Sequence, residues 1–167
     1  IFYTGLYHLL IHPNILQDVN GEYPKMESLE VGKTSGNRYT VFSLWDTYRN
    51  VSSLMTLLYP DRQLDIIQTM IDMYKENGWL PKWELYGRET FTMEGDPSIP
   101  YIVDAWMKGL RDFDTTTAYE AMRKGATTPG EFNLLRPDAN DYFSLGYVPL
   151  REQYDNSVSH ALEYYLA

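Results

Sequence analysis

Apolar residues recur along this chain at the spacing of helices that share a core. Ile1, Leu6, Leu9 and Leu10 open it with helical spacing and no capping residue ahead of them. Val51, Leu54, Met55 and Leu58 predict an amphipathic helix that stops before Pro60. Asp61 then caps another, with Leu64, Ile67, Ile71 and Tyr74 on one face and Gly78 at its end. So short a turn predicts antiparallel neighbours. Ile99 to Arg111 and Thr115 to Lys124 predict a further helix pair. "NSVSHALEYYLA" predicts a last helix, capped at Asn156 or Ser157 and running to Ala167 with no stop residue. Both ends of the chain therefore read as lying inside an element. The expectation is a segment of a larger protein, with residues 1–167 forming one helical domain incomplete at both ends.

The intervening stretches read differently. From His12-Pro13 to Asn37 the chain is polar and rich in turn residues, and "NGEYPKM" and "GNRYTVF" carry short β-prone runs that predict a β-hairpin. "WLPKWELYGRETFTMEGDPS" reads as irregular and polar-aromatic, and 127–155 as loop with one or two helical turns. No short internal repeat is evident. Helix pairs alternating with loops suggest a helical toroid, a mainly α fold with a short hairpin.

Composition narrows the partners. Fourteen basic against 23 acidic residues give a formal net charge of -9, the opposite of what binding a phosphate backbone requires, so nucleic acid is not an expected partner. No apolar run is long enough to span a bilayer. The absence of cysteine removes disulfides and thiolate ligands from consideration but fits a cytosolic or an exported protein equally well. Fifteen Tyr, 4 Trp and 6 Phe are a heavy aromatic load, which fits a packed core and also fits rings that stack on sugars beside carboxylates and Arg.

Two stretches mix chemistry with aromatics. In "SLWDTYR", Trp45 and Arg49 are four apart and Asp46 and Arg49 three apart, so a helix starting here brings them to one end near a loop mouth. Asp46 could accept sugar hydroxyls, or could simply cap the helix and pair with Arg49. In "WELYGRETFTMEGDPS" the crowd of Trp83, Glu84, Arg88, Glu89, Glu94 and Asp96 could supply a general acid and base or oxygen ligands for calcium. The alternative is that Glu84 pairs with Arg88 and the remainder are solvated. His8 and His12 are at i,i+4 without an evident third ligand, and His12 before Pro13 is better read as a helix end.

The ordered set "GLYHLLIHPN", "DVNGEY", "YTVFSLWDTYR", "GWLPKWELYGRETFTMEGDPSIPYIVDAWMKG", "AYEAM", "LGYVP" and "SVSHALEYY" resembles the middle of the family 92 glycoside hydrolases, calcium-dependent exo-acting α-mannosidases. The match runs from about Tyr3 to Tyr165. The resemblance implies a β-sandwich domain packed on an (α/α)6 toroid, of which this chain holds the earlier half. It implies cleavage of terminal α-mannosyl residues from glycans with inversion, and calcium in the complete enzyme. It also implies export to the periplasm, the cell surface or the medium. Asp46 is implied to bind mannose hydroxyls, with Trp45 and Arg49 lining or supporting the pocket and Trp83, Glu84, Glu89 and Asp96 as wall or support residues. Family segments of the type "VPHD", "HGNEPSHH" and "GNxDxGQMSAW" are absent, so no catalytic residue and no metal ligand is assigned to this chain. Taken alone, it is expected to be inactive. A half ring should also expose an apolar edge. The competing reading is a non-catalytic carbohydrate-binding or scaffold helical module.

Overall fold

The structure, a computed structural model, describes residues 1–149. The helix expected from Asn156 or Ser157 to Ala167 lies outside the described residues. Seven helices occur among them: α1 (Phe2–Leu9), α2 (Leu44–Thr47), α3 (Val51–Leu58), α4 (Pro60–Asn77), α5 (Ser98–Met107), α6 (Thr115–Thr127) and α7 (Ala139–Leu145). Three antiparallel strand pairs accompany them. β1 (Asn14–Ile15) pairs with β4 (Tyr39–Thr40), β2 (Glu22–Pro24) with β3 (Val31–Lys33), and β5 (Glu84–Leu85) with β6 (Arg88–Glu89).

The helices form an arc of pairs in two layers. α3 packs on α4 and α5, α4 on α6, and α5 on α6, so one layer runs α3 to α5 and the other α4 to α6. This is the partial (α/α)6 toroid that the family resemblance implies. α4 is central and buries Ile66, Ile67, Met70, Ile71 and Met73 against Leu44, Leu80, Tyr101 and Ile102. Burial of such side chains contributes about 1.5–3 kcal/mol each. A polar link crosses this core: Gln63 donates to the Ser52 hydroxyl at 3.0 Å and accepts from the Tyr101 hydroxyl at 3.0 Å, joining α3, α4 and α5.

Boundaries shift for local reasons. α4 begins on Pro60 at its first turn, where the missing N–H costs nothing, rather than after an Asp61 cap, and it ends on Gly78 in the left-handed conformation. α5 ends at Met107 because Gly109 turns left-handed, with φ +98. α6 is capped by Asp114, which accepts from the Thr117 N–H. Of the two runs expected to form a hairpin, "NGEYPKM" carries β2, which pairs with β3, whereas "GNRYTVF" carries β4, which pairs with β1. The stretch read as irregular contains a second hairpin, β5–β6, closed by Tyr86 and Gly87 with φ of +52 and +85, both central residues of the turn being left-handed.

The flanks of the arc are apolar and open. α1 buries none of its residues, and Phe2, Tyr3 and Tyr7 are exposed. At the other flank Met107 and Tyr119 are exposed beside Val103 and Trp106. No helix among the described residues is long and apolar enough to cross a membrane.

Candidate functional site

β4 leads directly into the segment that carries Trp45 and Asp46. At its end Val41 takes φ +65, a conformation that a β-branched residue adopts only under constraint, at about 1–3 kcal/mol. The constraint is visible. Glu84, fully buried, accepts from the Val41 N–H at 3.1 Å, from the Thr40 hydroxyl at 2.9 Å and from the Gly87 N–H at 2.5 Å. Its own carbonyl accepts from the Phe42 N–H at 2.9 Å. Burial pushes the Glu84 carboxyl up, against the lowering effect of those donors. It is not paired with Arg88. One carboxylate thus docks the β5–β6 hairpin beside the chain that enters α2.

Trp45 and Asp46 follow on α2. The Asp46 carboxylate is exposed and accepts from the Ser43 hydroxyl at 2.5 Å. It caps no helix: α2 has Ser43 at its N-cap position with no side-chain cap bond. Arg49 does not pair with Asp46; its Nε donates to the Trp45 carbonyl at 3.1 Å, and its guanidinium lies 5.1 Å from the Trp45 ring and 4.8 Å from the Tyr48 ring. The half-buried Trp45 keeps a buried Nε1 with no hydrogen-bond partner. These three sit together, as their spacing predicts. An exposed carboxylate beside an indole held by a stacked guanidinium is chemically suited to grip a polyol.

Glu89 is a second internal tie. Its carboxylate accepts from the N–H groups of Lys82 (2.7 Å), Trp83 (2.8 Å) and Phe91 (2.8 Å). Phe91 and Met93 have φ of +54 and +66, so this loop too is held in a conformation that unconstrained residues avoid. Trp83 is half-buried on it.

Asp96 lies deeper, almost without exposure, with Oδ2 accepting from Arg136 Nε at 3.3 Å and Oδ1 unpartnered. Burial raises its carboxyl, while the charges of Arg136 and Lys82 lower it. Lys82 is likewise buried; desolvation lowers its ammonium against the pull of Asp96, Glu94, Glu89 and Asp138. Ser98, at the start of α5, donates to the Pro81 carbonyl and fixes the same loop. The sequence reading did not include Lys82, Arg136 or Thr40. Arg136 lies forty residues from its partner, and no local spacing signals the pair.

Among the described residues no group of three or more His, Cys, Asp or Glu is arranged to hold a metal ion. Where carboxylates do gather, around Asp96, Glu94 and Asp138, Lys82 and Arg136 bring two positive charges that would oppose a divalent cation.

The whole chain, residues 1–167, matches the family model of the glycosyl hydrolase family 92 catalytic domain. The chain belongs to this family. Among solved structures it is similar to a family 92 α-mannosidase from Bacteroides thetaiotaomicron determined in complex with mannoimidazole. That likeness has 36% identity and a TM-score of 0.87, over 98% of this chain and 21% of that one. It is also similar to a family 92 inverting mannosidase from the same organism, with 34% identity and a TM-score of 0.79, over 90% of this chain and 21% of that one. A curated relative from Arthroderma benhamiae, named an uncharacterized secreted glycosidase, is 26% identical over 98% of this chain and 18% of its own length. The family 92 chain therefore spans about a fifth of the length of these relatives.

Proposed function

We propose that this chain is a segment of the helical catalytic domain of an α-mannosidase that removes terminal α-mannosyl residues from glycans with inversion, and that it forms one wall of the sugar pocket. The observation that carries the reading is the exposed Asp46 carboxylate beside Trp45, reached through the constrained Val41, in a chain 36% identical to an α-mannosidase that binds mannoimidazole. Asp46 accepts hydroxyl protons of the terminal sugar, and the half-buried Trp45 lines the pocket beside it. Arg49 fixes the indole. Trp83 extends the wall, while Glu84, Glu89 and Asp96 hold its loops.

Inversion requires one carboxylic acid to protonate the leaving oxygen and a carboxylate on the opposite face to activate water. In this reading both come from the rest of the polypeptide, a β-sandwich domain and the remaining toroid helices, and calcium is held there too. The likeness to a secreted glycosidase from Arthroderma benhamiae supports an exported protein.

The test is proton NMR of the complete polypeptide acting on an α-mannoside, with the 167-residue chain alone as a second sample. The complete protein should release β-mannose first, and the chain alone should release none. Release of α-mannose first would contradict inversion. Failure of the complete protein to release mannose would return the chain to a non-catalytic carbohydrate-binding or scaffold role.

A further inference from the structure

Ser43 stands at the N-cap position of α2, where a serine hydroxyl ordinarily accepts from the N–H of the second or third helical residue. It does not do so here. The third helical residue is Asp46, and its N–H donates to the Ser43 carbonyl at 3.1 Å, while the Ser43 hydroxyl turns to the Asp46 carboxylate and donates to Oδ2 at 2.5 Å. The same carbonyl accepts from the Thr47 N–H at 3.1 Å and from the Thr47 hydroxyl at 3.0 Å, so the backbone closes the turn without the serine side chain. We propose that Ser43 is a positioning residue for sugar binding: its hydroxyl fixes Asp46 Oδ2 and presents Oδ1 as the oxygen that accepts a hydroxyl of the terminal sugar. The proposal rests on the reading that Asp46 grips that sugar.

Two features make this hydroxyl a fixed donor rather than a passing contact. Ser43 lies between Phe42 and Leu44, both buried, and the Phe42 N–H donates to the Glu84 carbonyl, so the backbone is anchored on either side of the serine. Nor does another described residue hold the carboxylate. Arg49 is stacked against Trp45 and Tyr48, and among the described residues Asp46 Oδ1 accepts no hydrogen bond. An exposed aspartate without a partner spreads over about three staggered χ1 wells. If one of them presents the carboxylate to the sugar, the free protein is competent for roughly a third of the time, and its apparent affinity falls in proportion. Ser43 removes that loss by holding the competent rotamer before the sugar arrives. A serine that merely capped α2 would contribute to stability and not to sugar affinity.

The experiment is a double-mutant cycle in the complete polypeptide acting on an α-mannoside, with kcat and KM measured separately and melting temperature alongside. Ser43→Ala should raise KM by at least about threefold with kcat little changed, because the carboxylate must be selected from its rotamers before the sugar is bound and is in place afterwards. Melting should match the parent protein, since no side-chain cap bond is lost. In an Asp46→Ala background the same substitution should change kcat/KM by less than about 1.5-fold. Ser43→Gly removes the same hydroxyl, is well tolerated at an N-cap position, and is read in the same way should Ser43→Ala fold poorly. A smaller rise in KM, a loss in kcat instead, or an equal loss in both backgrounds would overturn the inference. Activity of Asp46→Ala within about twofold of the parent would overturn the pocket reading itself, and the inference with it.

Discussion

Asp46 and Glu84 are both carboxylates in aromatic-rich stretches, yet their surroundings give them opposite tasks. Glu84 is fully buried and its oxygens are filled by Thr40, Val41 and Gly87, so it has no capacity left for a sugar. Glu84→Gln turns an amide nitrogen toward a backbone N–H and should cost about 1–3 kcal/mol, measured by urea denaturation. The sign of its pH dependence follows from burial. The folded-state pKa of Glu84 is raised, so its stabilising contribution is fully present below the unfolded value of about 4.3 and is lost as pH rises through the folded value. The cost of Glu84→Gln should therefore grow as pH falls from neutral toward 4, and a cost that shrinks would contradict this account. The residue types of the site were legible in "SLWDTYR" and "WELYGRET". Which carboxylate faces inward was not, because it depends on Thr40 and Val41, more than forty residues earlier in the chain.

At the scale of elements, the helices were legible because each carries its own periodicity, stop residue or cap. The β5–β6 hairpin was not, because two-residue strands show no alternation; the available signal was Tyr86-Gly87 between Glu84 and Glu89. The junction of α6 with the 133–138 loop makes a sharper test. Gly125 is helical, and in an ordinary helix Gly→Ala stabilises by about 0.5–1 kcal/mol. Here an added Cβ would lie 2.8 Å from Asp96 Oδ2 and 3.5 Å from Leu135, pressing on the buried Asp96–Arg136 pair. Overpacking costs about 1–3 kcal/mol, so Gly125→Ala should lower the melting temperature despite its better helix propensity. An increase would show that the pair yields freely.

At the scale of the whole molecule, the arc has a polar, constrained site and two apolar flanks, the distribution expected of ring helices that pack on further neighbours. The expectation of an exposed apolar edge followed from the paired helices, but its position between α5 and α6 required the layer order that only the structure shows. The central claim is that Asp46 grips the sugar that the complete enzyme cleaves. Its most direct test is Asp46→Asn in the complete polypeptide, with kcat/KM on an α-mannoside and melting temperature measured together. The carboxylate is exposed and caps no helix, so folding should be unaffected. Loss of a charge-assisted hydrogen bond, at about 1.5–3 kcal/mol, predicts kcat/KM lower by at least tenfold with melting unchanged. Activity within about twofold of the parent protein, roughly 0.4 kcal/mol, would contradict the claim and remove Asp46 from the sugar pocket.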